Sequence, residues 1–171
     1  MAPRRPRDIG TATESAVVRY LRTAGFPHAE RRALRGTLDA GDITGVIGVV
    51  FECKGGMAAK TASDGLIQLW LDETMRQVAN AGADVGILIV QRAGIGEVNA
   101  GRWWAIMPGH QYEQLCNGRQ QYSQWIAGQK DRPGAWSFGD RGPLRMHLSQ
   151  ACALLTYAGY GSAPIVEGVS A

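Results

Sequence analysis

Residues 36–55 read GTLDAGDITGVIGVVFECKG, and this stretch has the apolar pattern of β-strands, interrupted by a few charged residues. We predict a hairpin whose arms are residues 43–44 and 49–54 and whose turn is Val46-Ile47-Gly48. A glycine at the end of such a turn supplies the positive φ that a short hairpin loop usually requires. The rest of the fold is expected to be arranged around this hairpin.

Three charged residues, Asp42, Glu52 and Lys54, interrupt the apolar pattern. The predicted pairing places Asp42 opposite Glu52, and the alternation of side chains along a strand puts Lys54 on the same face as Glu52. Opposed residues on one face have Cβ atoms roughly 5 Å apart, and residues two positions apart along a strand are separated by about 6.8 Å. The three charges are therefore expected to meet in one small volume.

Two carboxylates at this separation repel each other, which raises one pKa unless a cation lies between them. Oxygen ligands of this kind suit Mg²⁺ or Mn²⁺, and an ammonium from Lys54 could position water or neutralise a phosphate. The alternative is an exposed edge hairpin in which Glu52 and Lys54 form an ordinary surface ion pair.

At these residues the chain resembles the PD-(D/E)XK nuclease superfamily, whose motif is an acid, a hairpin-length gap, and then acid-any-lysine. Asp42 matches the first acid and Glu52-Cys53-Lys54 matches the second part, while Gly41 stands in place of the proline. Within the superfamily, the order GDI, short hairpin, FECK is most similar to the small archaeal and phage Holliday junction resolvases. The resemblance covers about residues 11–92.

The resemblance implies an α/β, restriction-endonuclease-like fold with an α-β-β-β-α-β core, a mixed central sheet and flanking helices. It implies a Mg²⁺ (or Mn²⁺) ion held by Asp42, Glu52 and the carbonyl of Cys53, with Lys54 placing the water that cuts a DNA phosphodiester. It further implies branched or four-way DNA as the substrate and a homodimer as the active form. A flap, mismatch or restriction-type nuclease would share the same site, and a catalytically silent DNA-binding domain would share the same fold.

A helix is predicted over residues 11–24, because Thr11 to Glu14 matches a capping box and Gly25 can end the helix. Glu14 lies on the same stripe as the apolar residues of this helix, and an inward carboxylate needs a partner. In nucleases of the resembled kind, an acid on the first helix often joins the metal site. Glu14 is therefore either a helix cap or a catalytic residue.

A second helix is predicted over residues 64–81, capped by Ser63 and ended by Gly82, and is followed by a buried strand over residues 85–91. Gln77 on this helix is the candidate for a supporting polar residue that faces the metal, with an ordinary solvated glutamine as the alternative. Asp39 is a rival for the first acid, but we favour Asp42 because Asp39 should fall beyond the paired strands.

The first 35 residues contain eight arginines and three acidic residues, whereas the whole chain has a net charge of only +3. Such a basic segment predicts a phosphate-binding surface, with a generic solvated surface as the alternative. The candidate nucleic-acid-binding residues are Arg4, Arg5, Arg7, Arg31, Arg32 and Lys60. The last of these lies in a predicted loop of small residues, 55–62.

We expect a basic disordered arm over residues 1–10, a nuclease core over residues 11–128, and a linker, a short helix and a disordered tail over residues 129–171. The short helix should span residues 144–157. With 45% hydrophobic and 19% charged residues, the composition is that of a globular domain. A cytoplasmic location is expected because the sequence shows neither a membrane span nor a secretion signal, and no zinc, ATP or NAD motif is seen.

Overall fold

The computed structural model of this 171-residue chain describes residues 5–32, 39–117 and 142–161. Five α-helices are seen within these ranges: α1 Pro6–Thr23, α2 Gly56–Lys60, α3 Asp64–Ala81, α4 Gly109–Cys116 and α5 Leu148–Tyr157. The described strands are β1 Glu30–Arg31, β2 Ile43–Thr44, β3 Val49–Lys54, β4 Val85–Val90, β5 Trp104–Met107 and β6 Leu144–His147. A 3-10 helix, Glu97–Arg102, precedes β5.

The six strands form one sheet in the order β1-β2-β3-β4-β5-β6. Neighbouring strands pair antiparallel except β3 and β4, which run parallel because α2 and α3 form the crossover between them. The expected class, an α/β fold with a mixed sheet and flanking helices, is confirmed. No helix within the described ranges is both long enough and apolar enough to cross a bilayer.

The predicted hairpin is confirmed, with arms at Ile43–Thr44 and Val49–Lys54. Ile43 pairs with Phe51, a register that places Asp42 opposite Glu52. The turn closes with a hydrogen bond of 3.2 Å from the Val49 amide to the Val46 carbonyl, and Gly48 has the expected positive φ of 80°.

Apolar side chains cover both faces of the sheet. On one face, β3 and β4 pack through Phe51, Ile87 and Ile89 against α1, the 3-10 helix and α5. On the other face, Leu88 and Val90 pack with apolar residues of α2 and α3. The members of this second cluster are Ala59, Ile67, Leu71, Leu88, Val90 and Ile106. Because side chains alternate along a strand, Glu52 and Lys54 point to this second face, beneath α3.

Several predicted boundaries in the first half of the chain are wrong. Helix α1 begins at Pro6, not Thr11, so residues 6–10 do not belong to a disordered arm. Proline is well suited to a first helical turn, because its missing N–H has no intrahelical partner there. Thr11 is consequently inside the helix and cannot form the predicted capping box with Glu14. Residues 56–60, expected in a loop, form the short helix α2.

The region after residue 128 also differs from the prediction. Residues 144–147, expected at the start of a helix, form strand β6, which pairs with β5 and extends the central sheet. Tyr160, expected in a disordered tail, is 1% exposed, and its hydroxyl lies 3.2 Å from Asp84 Oδ2. The described residues 142–161 are therefore part of the same body as the hairpin. Of the predicted linker over residues 129–142, all but Gly142 lies outside the described residues, and so does the tail beyond residue 161.

Candidate functional site

The backbone just before β2 carries Asp42 into the site. Gly41 is buried with φ of +88°, and a Cβ at this position would lie 2.7 Å from Val50 Cγ1 and 3.0 Å from the Phe51 carbonyl oxygen. The Asp42 amide donates to the Phe51 carbonyl at 2.9 Å, and Asp42 Oδ2 accepts from the Cys53 amide at 2.7 Å. The amide and carboxylate of Asp42 thereby continue the pairing with β3 one residue before β2 begins.

The backbone conformation at position 41 favours glycine over proline. Proline fixes φ near −65°, which is incompatible with the positive φ of Gly41. A residue with no Cβ also allows this segment to approach β3 closely. The difference from the proline of the resembled motif therefore follows from the local backbone path.

Glu52 lies at the centre of the site. It is 6% exposed and both of its carboxylate oxygens are engaged. Lys54 Nζ donates to Oε1 at 2.7 Å, and Gln77 Nε2 donates to Oε2 at 2.8 Å. A buried carboxylate requires such partners, because an unpaired charge is costly to remove from water. The alternative of an exposed ion pair on an edge hairpin is wrong for Glu52.

The acids of the hairpin repel each other. Burial, with a further contribution from the charge of Glu52, raises the pKa of Asp42 from 3.8 to about 7. The Cys53 amide and the Lys54 ammonium lower this pKa, but they do not offset the effect of burial, and the charge of Glu14 raises it further. A site with these electrostatics has a deficit of positive charge.

Lys54 provides a cation beside the acids. Burial alone would lower its pKa, but the hydrogen bond and charge of Glu52, with the charges of Glu73 and Asp42, raise the pKa above its ordinary value. Glu73 Oε2 on α3 lies 3.6 Å from Lys54 Nζ, which also lies 5.9 Å from the centre of the Trp70 ring. Lys54 is therefore an ammonium at neutral pH and acts as a fixed positive charge.

Gln77 connects Glu52 to an acid that the sequence pattern placed outside the site. Its Nε2 donates both to Glu52 Oε2 and to Asp39 Oδ2, the latter at 2.9 Å. Asn80 Nδ2, one turn further along α3, donates to the Asp39 carbonyl at 3.0 Å. Gln77 is 4% exposed, so the alternative of a solvated glutamine is wrong. Its Oε1 is buried and has no hydrogen-bond partner within the part of the chain that the structure describes.

Glu14 faces a cation instead of capping its helix. Arg31 Nε on β1 donates to Glu14 Oε2 at 2.8 Å, and Arg31 Nη2 lies 3.4 Å from Thr11 Oγ1. Glu14 is nevertheless close enough to raise the pKa of Asp42. The structure therefore places Glu14 beside the site and paired with Arg31.

The predicted nucleic-acid-binding residues that the structure describes lie at helices α1 and α2 and at strand β1. Arg5 and Arg7 are exposed at the start of α1, whereas Lys60 is exposed at the end of α2. Arg31 is occupied by Glu14, and the Arg32 amide donates to the Asp42 carbonyl at 2.7 Å. Arg4 lies outside the described residues.

The donors at this site fit a hard divalent cation. Asp42 and Glu52 offer carboxylate oxygens, and the unpartnered Oε1 of Gln77 is a further buried oxygen. The N–H and C=O of one strand residue point to the same side, so the Cys53 carbonyl points toward Asp42, as its amide does. Oxygen atoms of these types are the ligands that Mg²⁺ and Mn²⁺ prefer.

Among residues 5–32, 39–117 and 142–161, no group of three or more His, Cys, Asp or Glu side chains is arranged to hold a metal ion. A metal at this site would therefore have at most two of these side chains, Asp42 and Glu52, as ligands. Main-chain oxygen, amide oxygen and water would complete the shell, as is common for Mg²⁺.

Comparison of the chain with protein-family models, with curated proteins and with solved structures found no match.

Proposed function

We propose that this protein is a metal-dependent DNA endonuclease with a restriction-endonuclease-like core. The observation that carries the proposal is the arrangement around Glu52. A buried carboxylate lies opposite Asp42 and is held between Lys54 Nζ at 2.7 Å and Gln77 Nε2 at 2.8 Å. Two carboxylates can hold a divalent ion between them, and an ammonium beside them can act with that ion on a bound phosphate.

The roles of the side chains follow from their contacts. Asp42 and Glu52 would hold Mg²⁺ or Mn²⁺, with the Cys53 carbonyl as an additional oxygen. When bound, the metal supplies a lower pKa for the attacking water and neutralises charge on the scissile phosphate. Gln77 fixes the orientation of Glu52, because its amide is itself held by Asp39.

Lys54 acts on the phosphate and on water. Its ammonium stabilises the negative charge that develops on the phosphate oxygens during in-line attack, in a site where burial strengthens the interaction. The oxygen of water forms the new bond to phosphorus and gives up a proton to solvent, while the bond to the leaving sugar oxygen breaks and that oxygen takes a proton from solvent. Trp70 and Glu73 limit the positions that the ammonium can adopt.

The substrate class follows from the resemblance of the hairpin to the Holliday junction resolvases. We propose branched or four-way DNA, which a homodimer would cut at two symmetry-related strands. An excess of cleavage on four-way DNA over flapped and linear DNA would support this choice. Preferential cleavage of flaps or of linear duplex would assign the same chemistry to the other nuclease classes.

The test is incubation of the purified protein with four-way, flapped and linear DNA, in Mg²⁺ and in EDTA. We expect cleavage only with the metal, a loss of at least about a thousandfold in Glu52→Gln and Lys54→Ala, and retained DNA binding in both. Glu30→Gln, an exposed acid on β1, is the matched control and should cut normally. Cleavage by a Glu52→Ala, Lys54→Ala double variant would overturn the proposal, and so would the absence of metal-dependent cleavage on every DNA.

A further inference from the structure

A row of paired residues leads across the sheet from the proposed active site. Lys54 on β3 pairs with Val90 on β4, Val90 pairs with Trp104 on β5, and Trp104 pairs with His147 on β6. Directly paired residues point to the same face, and adjacent strands lie about 4.8 Å apart. Trp104 is therefore about 10 Å from Lys54 across the sheet, and His147 about 14 Å.

A groove of about 250 Å³ lies along this row. Ile67 and Val90 form part of its apolar lining, and Lys60, Arg92 and Arg145 supply three cationic side chains. The rings of Trp104 and His147 lie 5.4 Å apart between their centres. This combination of cations and aromatic rings is typical of surfaces that follow a nucleic-acid backbone.

The two arginines are positioned by Trp104. The guanidinium of Arg92 lies 4.4 Å from the centre of the Trp104 ring, and that of Arg145 lies 5.7 Å from it. Arg92 Nη1 is also 3.0 Å from His147 Nε2. A planar guanidinium held against an aromatic ring loses little further freedom when it binds a phosphate.

The ion pair with Asp64 does not prevent Arg145 from binding a phosphate. Asp64 Oδ1 lies 3.5 Å from Arg145 Nη2, but the Asp64 side chain is fully exposed and that of Arg145 is 40% exposed. Exposed ion pairs of this kind are weak, so Arg145 can exchange the carboxylate for a phosphate at small cost.

We propose that this groove binds the phosphate backbone of the DNA strand on one side of the cut, through Arg92 and Arg145. A strand carries one phosphate per about 3.4 Å of duplex axis, so the contacts should fall about three to four nucleotides from the scissile phosphate. The proposal rests on the proposed nuclease function. It places a DNA contact at the C-terminal ends of β3 and β4, whereas the sequence indicated mainly the N-terminal arginines.

The test is the salt dependence of DNA binding, measured by fluorescence anisotropy with a dye-labelled four-way junction in EDTA. The logarithm of the binding constant falls as the logarithm of the salt concentration rises. Across about 50 to 200 mM NaCl, each lost phosphate contact makes this fall shallower by about 0.9, and slopes are given below by their magnitude. We expect Arg92→Gln, Arg145→Gln to lower the slope by about 2 and to weaken binding at least about tenfold. Arg19→Gln, an exposed arginine on α1, is the control and should change neither strongly.

If the double variant fails to fold, Arg145→Gln alone should lower the slope by about 1, because its side chain lies at the surface. An unchanged slope in a folded variant overturns the proposal that the groove binds DNA. Metal-dependent cleavage by the wild type would then leave the nuclease proposal in place. A reduced slope without cleavage of any DNA supports the groove as a DNA-binding surface and overturns the nuclease chemistry. The two proposals therefore fail separately.

Discussion

The replacement Asp42→Asn should make the metal-free protein more stable at neutral and alkaline pH. In the folded wild type, the Asp42 carboxyl has a pKa of about 7, against an ordinary value of 3.8. Between these two values the folded state binds more protons than the unfolded state, so the free energy of unfolding of the wild type falls as the pH rises. Asparagine cannot ionise and avoids this loss, while its side-chain oxygen can still accept from the Cys53 amide.

The magnitude follows from the two pKa values. Each pKa unit corresponds to about 1.4 kcal/mol, so the difference between 3.8 and about 7 gives an upper limit of about 4 kcal/mol. We expect a gain of roughly 2 kcal/mol at about pH 8, since relaxation and water entry reduce such values, and a gain near zero at about pH 4.

Urea unfolding in EDTA, followed by tryptophan fluorescence, measures this gain at several pH values. Asp72→Asn removes the same charge from a partly exposed position on α3 and controls for the change in net charge. Mg²⁺ should narrow the gap, because a ligand that binds only the folded wild type stabilises it. If Asp42→Asn gained no more than Asp72→Asn at about pH 8, the reasoning that places Asp42 in a buried, acidic site would be refuted.

Three further changes test the surroundings of the site. Gln77→Met removes one hydrogen-bond donor from each of two carboxylates, Glu52 and Asp39, and should lower the free energy of unfolding by about 1–3 kcal/mol; an unchanged urea midpoint would contradict this. Gly45→Ala should cost about 2–4 kcal/mol, because Gly45 has a φ of +85° and a Cβ would overlap the His28 carbonyl oxygen; thermal unfolding at an unaltered temperature would show that this turn is wrongly placed. Glu14→Gln should reduce cleavage far less than Glu52→Gln does, because Glu14 pairs with Arg31, and an equal loss in the same DNA assay would make Glu14 a direct catalytic residue.

The hairpin could be predicted because its determinants are local. The turn glycine, the alternating apolar residues and the charges at fixed spacing lie within 20 consecutive residues, and the register that they specify is the one observed. Gln77 could also be placed, because helical periodicity and the capping signals Ser63 and Gly82 define the helix that carries it. The hairpin and this helix can be predicted without knowing which distant parts of the chain they contact.

Other features depend on long-range contacts that no local pattern specifies. β6 is a strand because it pairs with β5, roughly forty residues earlier in the chain, and its LRMH sequence has no strong strand preference of its own. Asp39 joins the site through the amide of Gln77, 38 residues away in sequence. The start of α1 at Pro6 could have been found, since proline is common in the first turn of helices, but the capping-box pattern at Thr11 was the stronger local signal.

The most direct measurement is an anomalous difference map from crystals grown with Mn²⁺. We expect one dominant peak within about 2.5 Å of carboxylate oxygens from both Asp42 and Glu52, near the Cys53 carbonyl. No peak there at a Mn²⁺ concentration that supports DNA cleavage, or a peak held by other residues, would contradict the proposal that the two acids jointly bind the catalytic ion.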